Sequence, residues 1–421
     1  MADNIKWFSS ENINAPELGN NWGSLLNILE ACLLTGYGAQ TIQSITIENG
    51  VATADFGTAH KLQMFQWVKI SGSIHTTLNA EFKILGATSN TIEFLIDLPD
   101  QIIVEVITCS LAPLGWSKPY SDTGRAVFQA KDLAKNPYFL RVDDTCDSLH
   151  TPSRAKFAKV GILEACTGID DISGNQAPFD PLAPTKNWIG TGAAGSTNAN
   201  IGWARWMYAT ADGNSGIDYY TISSNAANGA RSWILVGDDE GFYILPSVVI
   251  KSSTSQYKGY SVCYGFGIFQ GKDCPFLSAR HDYQAISNST YAGDQHSFGS
   301  AGNGYLILLK NRNGSYITGA TIGANNAKIL YGLDTSGNTG YSNTFAISED
   351  DGIYHCNFHA KDANDNYLGV IPLLRCVLNT TSLNLPENQI FSENGRAYIQ
   401  RKHMGASRRA GSIIIDLGAI I

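Results

Sequence analysis

The sequence is poor in charged residues and lacks long apolar runs. Of its 421 residues, 16% are charged, whereas soluble domains usually contain about 25%. No apolar run approaches the roughly 20 residues that cross a bilayer, so we expect no membrane span. The N-terminal stretch "MADNIKWFSS" has neither the basic region nor the apolar core of a signal peptide. We therefore expect no export by the ordinary secretory route.

The sequence also lacks the cysteine and basic patterns that define other classes of protein. Its eight cysteines stand singly, without a CxxC pair or the spacing of a disulfide framework. They are predicted to be reduced and mostly buried, as in a reducing cytoplasm. The net charge is -8 without a basic stripe, which gives nucleic-acid binding little electrostatic support. The one basic stretch, "RKHMGASRR" (401–409), is interpreted as a solvated loop between strands, with a phosphate site as the weaker alternative.

What the sequence contains in abundance favours β-structure. It has 42 glycines and many Asn, Ser and Thr residues, which supply turns, and its 10% of aromatic residues suit strands. The clearest exception is the run "NNWGSLLNILEACLLTGYG", whose apolar residues recur at helical spacing until Gly36 and Gly38. We predict a mainly β protein with one N-terminal amphipathic helix that docks on a sheet or on a partner, with docking on its own chain as the commoner case.

The order of these patterns predicts three segments. Residues 1–40 hold the helix. Residues 41–113 contain about six short strands, including a hairpin that turns at Asn49-Gly50, and are predicted to form a small β-barrel or sandwich module. Residues 114–421 are predicted to form a larger, irregular, sandwich-like β-rich domain. Its polar, Pro/Gly-rich stretch at about 168–202 is long for a loop inside a compact domain, so we interpret it as an exposed contact loop.

The sequence contains no recognisable catalytic or cofactor motif. A nucleophile elbow, a P-loop and a dinucleotide-binding loop are all missing. His355 and His359 are read as strand residues about 13 Å apart, which argues against zinc, and "DANDN" (362–366) is read as a turn rather than a calcium loop. We assign no catalytic, cofactor or metal residues. The 19 tyrosines and 8 tryptophans leave carbohydrate binding open, as do distant carboxylates for a glycosidase pair.

The most charged aromatic stretch runs from Gly115 to Thr145, "GWSKPYSDTGRAVFQAKDLAKNPYFLRVDDT". In "YFLRVDD" the residues alternate between two faces, as in a strand. Tyr138, Leu140 and Val142 are predicted on one face of this strand, and Phe139, Arg141 and Asp143 on the other. This alternation favours a buried Arg–Asp pair within a structural ion-pair network over an active site. The residues assigned to such pairs are Arg125, Arg141, Asp143 and Asp144.

Two sets of motifs carry a resemblance to a known family. "VKISG" (68–72), followed by "LNAEF" (78–82), resembles a small β-barrel module that recurs in tailed-phage structural proteins. The chain as a whole resembles a group of tailed-bacteriophage virion proteins. That likeness runs from "APELGNNWGSLLNILEACLLTGYG" through "GWSKPYSDTGRAVFQ", "YFLRVDDT", "RSWILVGDDEGFYIL" and "YGFGIFQG" to "GRAYIQ" and "IIIDLGAII".

The resemblance implies a structural component of a tailed-phage virion, associated with the tail or baseplate, that acts by protein–protein assembly and is not an enzyme. The implied partners are other virion proteins of the tail, baseplate or capsid, together with further copies of the chain in a homo-oligomer. The implied location is the virion, after assembly in the host cytoplasm. Two alternatives remain: a capsid decoration or head-fibre protein, and a receptor-binding or glycan-degrading tail spike.

Overall fold

The structure is a computed structural model of the chain. The prediction of a mainly β protein is confirmed, because the residues that the structure describes form several antiparallel sheets and one short α-helix. Among the described residues, no helix combines the length and apolarity needed to cross a membrane. The residues that the structure describes are 4–195, 199–212, 222–282, 294–296, 298, 305–317, 327–330, 353–377, 386–404 and 410–421.

The N-terminal segment contains strand β1 (Lys6–Ser9) and the predicted helix. The helix, α1, spans Ser24–Glu30 and continues as a π-helical turn over Ala31–Thr35. It ends at Gly36, whose φ of 72° lies in the left-handed region that favours glycine. Its apolar side chains are buried in the core of the same chain, as the sequence predicts.

Residues 37–111 form two antiparallel sheets. The strand orders are β2-β10-β5-β6 and β7-β8-β4-β3-β9. The turn between β3 and β4 is the predicted one, and both Asn49 (φ 52°) and Gly50 (φ 78°) have positive φ. The strands are β2 (Tyr37–Ile42), β3 (Ser44–Glu48), β4 (Val51–Asp55), β5 (Trp67–Ser71), β6 (Glu81–Lys83), β7 (Gly86–Ala87), β8 (Thr91–Leu95), β9 (Gln101–Ile103) and β10 (Ile107–Leu111), with a 3₁₀ turn at Thr76–Leu78.

The next strands begin a further sheet. They are β11 (Ser117–Asp122), β12 (Arg125–Gln129), β13 (Phe139–Asp143), β14 (Lys156–Leu163), β15 (Gln176–Ala177), β16 (Thr191–Gly192), β17 (Ala199–Asn200) and β18 (Ala204–Ala209). The main path of this sheet is β11-β12-β13-β14-β18 and continues into β23 and β24, which are bounded below. Strand β15 pairs with β14, and β16 pairs with β17 as a separate ribbon.

The remaining strands supply most of a 12-stranded sheet of order β1-β19-β20-β21-β22-β25-β26-β27-β28-β31-β30-β29. The sheet curls back on itself, because Ser261 bridges both Ser247 and His403. Besides β1, the strands of this sheet are β19 (Trp233–Gly237), β20 (Phe242–Pro246), β21 (Tyr264–Ile268), β22 (Pro275–Ser278), β25 (Tyr305–Leu308), β26 (Ala327–Leu330), β27 (His355–Lys361), β28 (Tyr367–Val377), β29 (Ile390–Glu393), β30 (Arg396–Met404) and β31 (Ala410–Ala419). Strands β23 (Arg280–Asp282) and β24 (Asp294–His296) belong to the preceding sheet.

Strands β19 and β20 separate two large apolar cores because their side chains alternate between faces. Leu235 and Phe242 face the core that contains α1, both sheets of residues 37–111 and strands β12–β14. Val236 and Tyr243 face the second core, inside the curl of the 12-stranded sheet. All three predicted segments contribute residues to the first of these cores.

Two expectations about loops need correction. Arg401–Met404, expected in a solvated loop, belong to β30, and the fully buried Arg401 donates hydrogen bonds to Ser261 and Asn388. Residues 405–409 lie outside the described part of the chain. The predicted contact loop is buried in part, because it folds back over β14. Trp188 is 4% exposed, although Leu182 is 94% exposed.

Candidate functional site

Arg125 forms ion pairs at the protein surface. Its guanidinium contacts Asp122 at 2.7 Å and also pairs with Asp170. Asp143 lies directly opposite Arg125 in the β12–β13 register, but the two side chains do not form an ion pair in the described structure. The Asp122 and Asp170 side chains are 55% and 76% exposed, so water screens both pairs.

We therefore expect the Arg125→Ala substitution to change the free energy of unfolding by less than about 1 kcal/mol, since exposed ion pairs contribute little. Urea titration monitored by tryptophan fluorescence would measure the change. A loss of several kcal/mol would show that these pairs stabilise the fold far more than their exposure indicates.

Arg141 and Asp143 share one face of β13, as predicted, but each takes a different partner. The Arg141 guanidinium lies 4.2 Å from the centre of the Trp188 ring, and its Nε donates to the Ile169 carbonyl. Burial lowers the pKa of Arg141. In the described part of the chain, no carboxylate lies within ion-pair distance of its guanidinium. The predicted Arg–Asp pair is thus replaced by a cation–π contact.

Asp143 pairs instead with a buried lysine from the neighbouring strand. The Lys159 ammonium lies 3.1 Å from Asp143 and 3.8 Å from Asp147, and it donates a 2.7 Å hydrogen bond to the Trp188 carbonyl. All three charged side chains are less than 10% exposed. This network ties β13 and β14 to the segment that carries Trp188, and we define Lys159, Asp143 and Asp147 as the buried network.

Asp144 lies on the opposite face and contacts α1. Its carboxylate accepts hydrogen bonds from the Leu26 amide at 3.2 Å and from the Tyr208 hydroxyl at 2.7 Å. Burial raises the pKa of Asp144 to about 7. Among the described residues, no cation lies within ion-pair distance of it. Its predicted role in an ion pair is therefore replaced by hydrogen bonds that hold the helix against β18.

Sequence reasoning missed a second polar cluster, around Lys310. Its ammonium lies 2.8 Å from Glu164, 3.1 Å from Asp273 and 2.9 Å from the Tyr138 hydroxyl. Tyr316 also donates to Glu164, at 2.6 Å. Hydrogen bonds to Lys310, Tyr316 and Asn175 outweigh burial and lower the pKa of Glu164 to about 2. A glycosidase general acid needs a raised pKa, which Glu164 does not have. The cluster joins the two large sheets, because Glu164 and Tyr138 flank β14 and β13 whereas Asp273 and Lys310 flank β22 and β25.

The histidine stretch contains separate strand contacts. His355 contacts Glu393 at 2.9 Å, whereas His359 contacts the Tyr367 hydroxyl at 2.8 Å. Asp362 accepts hydrogen bonds from the amides of Asn364 and Asn366, which is the predicted turn. No group of three or more His, Cys, Asp or Glu side chains that could hold a metal ion occurs within the described ranges.

An open cleft of about 440 Å³ lies beside the β19–β20 turn. Its volume falls in the usual range for ligand pockets, about 300–1,000 Å³. Burial raises the pKa of Asp238 to about 6, and Leu373 on the opposite wall has a φ of 61°, which is rare for a leucine. The lining residues are Asn4, Ile5, Lys135, Asp238, Asp239, Glu240, Gln270, Val370, Pro372, Leu373 and Arg396.

A row of apolar side chains is exposed along the edge of the β7-β8-β4-β3-β9 sheet. Ile102, Val104 and Val106 are 71%, 76% and 85% exposed, and Ile74 beside them is 82% exposed. Glu105, in the connection between β9 and β10, accepts a hydrogen bond from the Ile74 amide, which fixes Ile74 beside Val104 and Val106. Strand β9 ends the sheet, and no strand in the described ranges pairs with its outer backbone edge, which could therefore accept a further strand. We define Ile74, Ile102, Val104 and Val106 as the apolar edge.

Comparisons with known proteins give few matches. No protein-family model and no curated protein matches the chain. Among solved structures, the chain is similar to the phage phi92 endosialidase, with 11% identity and a TM-score of 0.17 over 91% of this chain. The match covers 52% of the endosialidase, so the chain spans about half the length of that protein. A TM-score this low establishes neither a shared fold nor a shared function.

Proposed function

We propose that this protein is a structural component of a tailed-phage virion, located in the tail or baseplate, and that it works by assembling with neighbouring virion proteins. The apolar edge is the observation that carries the proposal. Large apolar side chains exposed side by side are uncommon on soluble monomers and mark interaction surfaces. Ile74 lies between the two motifs that resemble a phage structural module, and the other three residues follow in the same predicted segment, 41–113. The likeness to virion proteins along the chain supports the same function.

The occupant of the apolar edge is a neighbouring virion protein that adds a strand beside β9. The open backbone edge offers hydrogen bonds to such a strand. Burial of the side chains adds a hydrophobic contribution of about 1.5–3 kcal/mol for each one that becomes fully covered. The low charge of the chain fits a protein whose surface is partly covered by neighbours in the particle. Its eight thiols fit assembly in the reducing cytoplasm of the host.

A triple substitution tests the surface: Ile102→Thr, Val104→Thr and Val106→Thr. Threonine keeps the β-propensity of these positions, so the isolated chain should keep its melting temperature. We expect incorporation into particles to fall by more than tenfold when the variant replaces the normal chain during infection. Quantitative immunoblotting of purified particles would measure it.

The matched control is Leu133→Thr, at a half-exposed apolar side chain away from the apolar edge. This variant should assemble normally. Normal incorporation of the triple variant would contradict the role of the apolar edge. Sedimentation of the purified chain separates the possible occupants, because self-association that the triple variant abolishes would assign the edge to a second copy.

A capsid decoration or head-fibre protein is the alternative within the same class. Antibody-gold labelling of intact particles separates the two positions. Gold along the tail or at the baseplate supports the proposal, whereas gold on the capsid would replace the tail assignment with the alternative.

The cleft favours a second candidate of another class, a receptor-binding or glycan-degrading tail spike. Its carboxylates and cations could form hydrogen bonds with sugar hydroxyls, and its volume could hold a short oligosaccharide. Incubation of the purified chain with host surface polysaccharide tests this function. Retention of the polysaccharide, or release of reducing ends that is lost in Asp238→Asn, would favour the spike over assembly.

A further inference from the structure

Two of the eight cysteines face each other across neighbouring strands. Cys356 on β27 is the register partner of Cys376 on β28, so both side chains lie on the same face of the sheet. Facing residues in antiparallel strands have Cα atoms about 4.5–5.5 Å apart, which falls inside the range of about 4.4–6.8 Å that disulfides span. The backbone therefore already has the spacing that a disulfide needs.

The two thiols differ in their access to solvent and in acidity. Cys356 is partly exposed, whereas Cys376 is 6% exposed and belongs to the core inside the 12-stranded sheet. The neighbouring Cys376 thiol lowers the pKa of Cys356, whereas the Cys356 thiol and burial raise the pKa of Cys376. Cys356 is consequently the thiol that an external reagent meets first, and in the more reactive form.

We propose that Cys356 and Cys376 form a redox-active dithiol that closes to a disulfide when the chain meets a small-molecule disulfide such as oxidised glutathione. The Cys356 thiolate attacks one sulfur of the oxidant, which forms a mixed disulfide and releases one glutathione thiolate. Cys376 loses its proton to solvent and attacks the Cys356 sulfur, which releases the second glutathione thiolate. The protein loses two electrons and two protons, and the oxidant is reduced to two molecules of glutathione.

The position of the pair gives the reaction a structural consequence. Strands β27 and β28 form a hairpin whose turn lies at residues 362–366, and the cysteines lie at its open end. The disulfide would covalently link the beginning of β27 to the end of β28. Within the described structure, no other two cysteines occupy facing positions. The dithiol would stay reduced in a reducing cytoplasm and close in an oxidising exterior.

Peptide mapping of the normal chain is the primary test, and it needs no variant. The native full-length protein is incubated with oxidised glutathione, quenched with acid, denatured, alkylated and digested. We expect a peptide pair linked through Cys356 and Cys376, with alkylation of the other six cysteines. Full alkylation of both residues, a glutathione that stays on Cys356, or a disulfide between two chains would overturn the proposal.

Two variants separate the steps. Cys376→Ala removes the second thiol, so glutathione should accumulate on Cys356 as a stable mixed disulfide. Cys356→Ala should slow the reaction at residue 376 by at least tenfold, because the remaining thiol is buried. Cys263→Ala, at a buried cysteine outside the pair, is the matched control and should form the disulfide at the normal rate. Equal reactivity of Cys376 in the absence of Cys356 would contradict the assigned order.

Discussion

Replacement of Lys159 by alanine is expected to lower the free energy of unfolding by about 3–5 kcal/mol, the usual cost of removing one partner from a buried ion pair. The substitution leaves Asp143 and Asp147 without their shared cation, and both side chains are less than 10% exposed. It also removes the hydrogen bond to the Trp188 carbonyl. Urea unfolding monitored by circular dichroism would measure the loss.

A double-mutant cycle shows whether the unpaired Asp143 carboxylate causes this loss of stability. Lys159→Ala combined with Asp143→Ala should cost less than the sum of the single substitutions, because the double variant no longer buries that unpaired charge. The control is Lys258→Ala, at an exposed lysine, which should change stability by less than about 0.5 kcal/mol. A loss of similar size in both lysine variants would contradict the buried network.

The second large effect is a pH dependence of stability that depends on Asp144. Its pKa is about 7 in the folded chain and 3.8 as an isolated side chain, so between these values the folded state binds more protons than the unfolded state. The contribution to stability is therefore fully present below about pH 4 and is lost as pH rises through about 7, with a total size on the order of 4 kcal/mol.

Unfolding titrations at a series of pH values would measure this change. Asp144→Asn cannot ionise, so the difference in unfolding free energy between the normal chain and the variant should shift across the window from pH 4 to 7. Asp122→Asn, at a carboxylate that is 55% exposed, should show no such shift. A constant difference between the normal chain and Asp144→Asn would refute the elevated pKa.

The features predicted best from the sequence depend on residues close together in the chain. Helix α1 follows from apolar residues at helical spacing before Gly36, and the first hairpin follows from Asn49-Gly50, where both residues adopt positive φ. The two faces of β13 were predicted from simple alternation. Each of these signals lies within one helix or one hairpin, so no tertiary information was needed.

The predicted site residues show where such reasoning stops. Arg141 and Asp143 were placed on one face correctly, but their partners come from elsewhere in the chain. Lys159 reaches Asp143 through the β13–β14 register, in which the two residues are directly opposite. Trp188 reaches Arg141 because a segment expected to be exposed folds back over the sheet. A residue's charge and its position in a strand do not specify either partner.

Surfaces and clusters were still harder to predict. The residues of the apolar edge look like core-facing strand residues in the sequence, but only Ile102 lies in a strand, β9, and Val104 and Val106 lie in the connection to β10. The facing positions of Cys356 and Cys376, 20 residues apart, depend on the register of β27 with β28. Since isolated cysteines gave no spacing pattern, the sequence suggested eight unrelated thiols.

Immunogold electron microscopy of purified, intact phage particles tests the central claim most directly. Antibodies raised against this chain should label the tail or baseplate of nearly every particle, and particles lacking the chain should remain unlabelled. Complete particles that carry no label, and in which peptide mass spectrometry finds none of this chain, would contradict its assignment as a structural component of the virion.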